Sequence, residues 1–322
     1  MSHTQPPGEK IRVGISTCLL GRNVRYDGGH KHDRFLTDTL GPWIEWVSVC
    51  PEVEMGLPIP RDSLRLTGKP DAPRLFMPKS GEDHTERMRA FAKGRLDALE
   101  GLGLCGYVLK SDSPSCGMER VRVYADSGMP SRHGVGVFAR ALLDRFPLLP
   151  VEEEGRLCNP VLRDNWIERV FASFRFQAVV TEGLTVGRLV AFHTAHKFLL
   201  LSHDPVRYQR LGRIVAAAKG KSRPALEAEY GGLFMETLRV KTTVRKHVNV
   251  LQHLMGFVSE GLDAADRAEL LRVIEDYRRG LVPLVVPLTL LKHFLRRVGS
   301  PYVAGQVYLD PHPRELLLRN HA

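Results

Sequence analysis

The chain has no long apolar run. Its nearest approach, Leu281 to Leu291, is interrupted by Pro283 and Pro287 and is far shorter than the roughly 18 apolar residues of a helical membrane span. The first ten residues, MSHTQPPGEK, are polar and turn-forming and lack the apolar core of a secretory signal. These absences predict a cytoplasmic protein with no membrane partner. Cysteine is scarce: Cys18, Cys50, Cys105, Cys116 and Cys158 make an odd set of 5. Their spacing is neither that of a disulfide framework, nor the Cys-x-x-Cys of zinc modules, nor the Cys-x-x-x-Cys-x-x-Cys of radical enzymes. In a reducing compartment they are thiolates available to a metal. Internal repeats and low-complexity tracts are missing too, and no feature specifies an oligomer.

What is present suits two globular domains: 322 residues, 43% of them hydrophobic. The net charge of +10 is unevenly spread. Residues 1–160 hold 22 Lys+Arg against 21 Asp+Glu, leaving 24 against 15 for residues 161–322. The second half is therefore where a polyanionic partner would bind, the alternative being a solvated basic surface.

Hydrophobic periodicity separates the halves. Ile11–Thr17, Trp46–Val49 and Leu104–Lys110 read as strands, and Thr85–Leu99 and Gly134–Phe146 as helices, the alternation of a parallel α/β sheet of Rossmann-like type. After the Asn159-Pro160 turn the pattern is helical throughout: 166–176, 185–201, 206–218, 226–256, 264–279 and 286–298. The expected organisation is an α/β domain over residues 1–158 and an all-α domain over 159–322. One long helix through Glu229–Leu254 would align Arg239, Lys241, Arg245, Lys246, His247 and His253 as a basic stripe, or as the charged outer face of a bundle helix.

Three cysteines share one circumstance. Cys18 follows the first strand, Cys50 ends the second, and Cys116 lies in the loop after the third. Ligands of open parallel sheets bind at the carboxyl ends of the strands, so these thiols can converge there. Three thiolates fit an iron–sulfur cluster with one open iron, or a zinc ion completed by water or by a histidine such as His30 or His32. Cys105 reads as a buried small hydrophobe and Cys158 has no companion.

The segments STCLLGRNVRYDGGH, VCPEVEMGLPIPR and LKSDSPSCG resemble the three motif blocks of the thiouracil desulfidase family, over roughly residues 10–155. Residues 160–322 resemble the helical domain of unknown function often fused behind it, an arrangement linked to removal of 4-thiouridine from tRNA. The resemblance implies a [4Fe-4S] cluster on Cys18, Cys50 and Cys116, with catalytic Glu52 and Ser113. Arg25, Tyr26, Asp27, Lys110 and Ser111 are then candidates for substrate binding. The expected reaction is hydrolytic conversion of 4-thiouridine in tRNA, or of free thiouracil or thiouridine, to the oxo base with release of hydrosulfide. The competing reading is a non-catalytic iron–sulfur or zinc sensor that binds nucleic acid or a protein.

Overall fold

The computed structural model describes residues 10–125, 127–299 and 301–320; residues 1–9, part of the polar amino-terminal segment, lie outside them. The described chain forms two compact units that meet in sequence between Cys158 and Asn159.

The first unit contains β1 (Ile11–Ser16), β2 (Ile44–Val49), β3 (Arg65–Lys69), β4 (Ala72–Met77), β5 (Glu82–Asp83), β6 (Gly106–Leu109), β7 (Val121–Tyr124), β8 (Pro130–Gly134) and β9 (Val151–Glu153). Its main sheet has the order β2-β1-β6-β9 with every pairing parallel. Parallel strands are covered on both faces, and β1 shows it: all its residues are buried except Arg12. Gly14 is required here because it pairs with Tyr107 of β6, whose ring would lie 2.1 Å from a Cβ. Helix α1 (Pro51–Glu54) follows β2 directly. Helix α2 (Thr85–Glu100) packs with Met88, Ala92, Leu96 and Leu99 inward, and α3 (Val137–Arg145) with Phe138 and Leu142. The helix expected from Gly134 begins later, because Gly134 still belongs to β8.

A second sheet, of order β5-β4-β3-β7-β8, was not expected from the sequence. It is antiparallel except where β3 runs parallel to β7.

Among its described residues the second unit is helical: α4 (Pro160–Thr181), α5 (Val186–Ala195), α6 (Lys197–His203), α7 (Pro205–Ala216), α8 (Arg223–Leu226), α9 (Gly232–Arg239), α10 (Val244–Gly256), α11 (Ala264–Arg278), α12 (Val285–Val298) and short turns. Asn159 caps α4 through bonds from the Val161 and Leu162 amides. Phe176, Phe192, Tyr230 and Phe234 form an aromatic core with ring centroids 5.1–6.2 Å apart. The single helix expected over 226–256 is broken. The chain leaves the helix after Arg239, and Thr243 caps α10 by accepting from the Lys246 amide. The continuous basic stripe is lost with it: His247 is buried against Tyr308, and the Lys246 ammonium donates to the His203 and Lys241 carbonyls. No helix among the described residues is long and apolar enough to cross a membrane.

Candidate functional site

Because the strands of the main sheet are parallel and in step, their carboxyl ends share one edge. Ser16 pairs with Val49, and Ile15 pairs with Val108 one residue before the end of β6. The chain leaves this edge in three loops, and each delivers a cysteine. Cys18 sits in a tight turn after β1 that closes at Gly21, with φ of 80°. Cys50 is the residue before α1, its amide donating to Glu54 Oε1 at 2.8 Å. Cys116 lies at the base of the third loop, its amide donating to Ser113 Oγ at 3.0 Å.

All three thiols line one cavity of about 450 Å³, together with Arg25, Tyr26, Glu52, Arg61, Lys110, Ser111 and Ser113. Burial pushes the Cys18 thiol up to about 11, and the neighbouring Cys50 thiolate adds to the effect. Burial likewise raises Cys50, and it raises Cys116 well above the ordinary thiol range, with further contributions from Cys50 and Cys18. These repulsions mean that the site disfavours three bare thiolates, and a cationic group between them would reverse that preference. No three His, Cys, Asp or Glu side chains among the described residues are close enough to grip a single metal ion.

Glu52 is held from both sides. Arg61, with its side chain 3% exposed, donates to Glu52 Oε2 through Nη2 at 2.6 Å and Nε at 3.0 Å, and Ser115 donates to Oε1 at 2.9 Å. The guanidinium is itself fixed by the Val24 and Pro58 carbonyls. Ser113 makes a different set of bonds. Its oxygen accepts from the amides of Ser115 and Cys116, so its own proton is left for a further acceptor. Ser113 lines the cavity, whereas Ser115 is fully buried behind it.

The remaining candidates divide. Arg25, Tyr26, Lys110 and Ser111 are on the cavity wall. Asp27 is not on that wall; its carboxylate accepts from Arg25 and from the Gly29 amide, closing the loop after Cys18. Lys110 is paired with Glu154, which also accepts from the Ser111 amide and hydroxyl at 2.7 Å. Exposed His30 and His32 bond within their own loop and Cys158 is exposed; Cys105 is buried just before β6.

Several participants were not singled out from the sequence: Ser16, whose hydroxyl accepts from the Lys110 amide, Arg61, Glu153 and Glu154. Glu154 fastens the start of the Cys116 loop, and Glu153 fastens its end by accepting from the Met118 amide at 2.6 Å. The signal was the run of three acids in VEEE, at the end of a parallel strand.

The fold and the site define an α/β domain with a thiol-lined cavity at the carboxyl edge of its sheet, followed by a helical unit. A family model for 2-thiouracil desulfurase matches residues 13–154, and one for a protein of unknown function (DUF1722) matches residues 197–313. The uncharacterized protein YbgA of Escherichia coli K12 is 30% identical over 158 residues, 49% of this chain and 94% of its own length. The uncharacterized protein YbbK of Bacillus subtilis 168 is 30% identical over 108 residues, 32% of this chain and 71% of its own. A solved structure of the [4Fe-4S]-dependent thiouracil desulfidase TudS is 34% identical, covering 46% of this chain and 94% of that one, with a TM-score of 0.38. The chain belongs to the thiouracil desulfidase family, in the form that carries a DUF1722 helical region behind the desulfurase domain.

Proposed function

We propose that residues 10–158 form a [4Fe-4S]-dependent desulfidase that acts on thiolated uracil, with 4-thiouridine in tRNA as the substrate. The observation that carries this reading is the meeting of Cys18, Cys50, Cys116 and Glu52 on one cavity. Three soft thiols that surround a cavity without converging on a point suit a group with several metal atoms better than a single zinc ion. Cys18, Cys50 and Cys116 would hold the cluster. When bound, it supplies an iron without a protein ligand, a soft Lewis acid matched to a thiocarbonyl sulfur.

The chain's own residues supply the rest. The net reaction is hydrolysis: water adds to the thiocarbonyl carbon, the carbon–sulfur bond breaks, and hydrosulfide leaves, with no electron donor required. Glu52 takes the proton from the attacking water. Arg61 and Ser115 hold its carboxylate in one orientation, so no rotamer search precedes the transfer. The Ser113 hydroxyl, which accepts two amide bonds, donates its proton into the cavity toward the substrate. Arg25, Tyr26, Lys110 and Ser111 form the wall against which the base is seated.

The tRNA assignment is supported by the excess of 9 positive charges in residues 161–322, the difference between 24 and 15. Such a surface attracts phosphate, and a base of folded tRNA has to be splayed out to enter the cavity. A cytoplasmic location accords with that substrate.

The test is Glu52→Gln in anaerobically reconstituted protein. Iron and sulfide content should match the unaltered protein while hydrosulfide release from 4-thiouridine falls at least about a hundredfold. Unchanged release would remove Glu52 from the chemistry. A cluster sensor, by contrast, has no use for this carboxylate.

A further inference from the structure

Glu54 does not line the thiol cavity and takes no part in the proposed hydrolysis, yet it bonds directly to one of the three cysteines. Its Oε1 accepts from the Cys50 amide at 2.8 Å, and its Oε2 lies 3.0 Å from Arg95 Nε in an ion pair. Arg95 belongs to α2, so the pair ties the start of α1 to the helix packed against it. Both side chains are partly withdrawn from water, Arg95 26% exposed and Glu54 33%. A carboxylate reaching back to the amide of the residue that opens its own helix fixes the entry of the chain into that helix. Here that residue is Cys50, and Glu52 sits on the same turn.

The pair also carries charge into the interior. Tyr107 of β6 is fully buried, and its hydroxyl has no hydrogen-bond partner among the described residues. Burial pushes this phenol well above its ordinary range, Cys116 and Glu54 push it further in that order, and Arg95 opposes them. The field of Glu54 therefore reaches the core beside Cys116, and a dry interior leaves it weakly screened. Iron–sulfur potentials follow the net charge and the hydrogen bonds around the thiolates. A carboxylate one amide away from Cys50 opposes the addition of an electron there. The proposed hydrolysis neither gains nor loses an electron, and an iron that has taken one up is a weaker Lewis acid toward a thiocarbonyl.

We propose that Glu54 is a positioning residue that fixes Cys50 and keeps the bound cluster in its oxidised state, with Arg95 setting how much of the Glu54 charge is felt. The inference rests on the reading that Cys18, Cys50 and Cys116 hold a [4Fe-4S] cluster.

The experiment uses the full reconstituted chain under anaerobic conditions. The one-electron midpoint potential is measured by voltammetry for the unaltered protein, Glu54→Gln, Arg95→Gln and the double variant, beside iron content and hydrosulfide release from 4-thiouridine. Glu54→Gln keeps an oxygen to accept from the Cys50 amide and loses the charge. Its reduction equilibrium should become more favourable by about tenfold, a rise of about 59 mV for one electron. Arg95→Gln uncovers the Glu54 charge, so its potential should fall, and the double variant should return toward the unaltered value. At a potential midway between the first two midpoints, Glu54→Gln should release hydrosulfide about threefold more slowly than the unaltered protein, in proportion to its oxidised fraction. A link that is only structural moves neither potential, or moves both in the same direction, and either result overturns the proposal while continued turnover leaves the desulfidase reading standing. Opposite shifts without turnover on any thiolated uracil sink the desulfidase reading and leave the role of Glu54 in place.

Discussion

Gly136, just before α3, passes directly over the Cys116 loop. A Cβ at this position would lie 2.5 Å from the Ser115 carbonyl oxygen, 2.6 Å from its carbon and 2.9 Å from the Cys116 nitrogen, all backbone atoms. Ordinary contact begins at 3.4 Å, so Gly136→Ala requires a displacement of 3.4 − 2.5 = 0.9 Å. The loop is poorly placed to yield. The Val137 amide donates to Pro114, those of Phe138 and Ala139 donate to Ser115, and Glu153 and Glu154 clamp the loop ends. Any shift carries the Cys116 thiol and the Ser115 hydroxyl that bonds Glu52. Overpacking of this kind costs about 1–3 kcal/mol, which a domain of ordinary stability survives. At a reacting centre, however, misplacement by about 1 Å costs on the order of a hundredfold in rate. The expected result is a folded protein with a lowered urea midpoint, reduced iron and sulfide per chain after reconstitution, and turnover down about a hundredfold. Gly101→Ala, with open space around the new methyl, is the control. A Gly136→Ala protein with unaltered iron content and turnover would refute the reasoning.

The two serines separate by their bonds. Ser115→Ala removes the donor to Glu52 and should lower turnover about tenfold with iron retained; Ser113→Ala removes the acceptor of the Cys116 amide and should lower iron content as well. Iron assay beside turnover checks both. In metal-free protein, Cys18 should alkylate about a hundredfold more slowly at pH 8 than an unshifted thiol, because burial raises it from 9.0 to about 11. Its rate should climb on approach to that value, and a rate already level at pH 9 would contradict the burial argument. In the helical unit, burial opposes the Glu168 charge, but the adjacent His203, 2.5 Å from Oε1, draws the carboxyl well below its ordinary 4.5. Such a group stabilises the fold above its unfolded value of 4.5, and that stability is lost as pH falls through the lowered one. Glu168→Gln should therefore cost about 3–5 kcal/mol near neutrality. Its difference from the unaltered protein in urea melts should shrink in acid, and a constant difference would count against the ion pair.

The readable parts of this fold were those with one dominant signal. The β-branched Ile11, Val13 and Ile15 of β1, interrupted by a single charge at Arg12, mark a strand. The three strand-end cysteines followed from the parallel order of the sheet. The second sheet was hidden because its strands are short, carry charges at Arg65, Lys69 and Arg74, and contain Gly68 and Pro73. Its signal was present in the alternation of Leu64, Leu66, Leu75 and Met77 about a Pro70-Asp71 turn. The break after Arg239 was also marked, by Thr243 placed to cap a new helix, but apolar periodicity on either side masked it. Arg61 ends a motif block, yet only the folding of residues 58–61 back onto Val24 shows that its guanidinium belongs to Glu52. Such partnerships depend on tertiary approach, which spacing along the chain does not encode. Among the three serines of SDSPSC the choice of partner likewise depends on the turn: Ser115, next to Cys116 in sequence, turns its hydroxyl to Glu52, while Ser113 accepts from the Cys116 amide.

The most direct test of the account is anaerobic conversion of tRNA containing 4-thiouridine by the iron- and sulfide-reconstituted chain, followed as loss of the thiobase and release of hydrosulfide. The account predicts conversion by the reconstituted protein and none by metal-free protein or by Cys50→Ala. A fully reconstituted cluster that converts neither tRNA, nucleoside nor free base would contradict it.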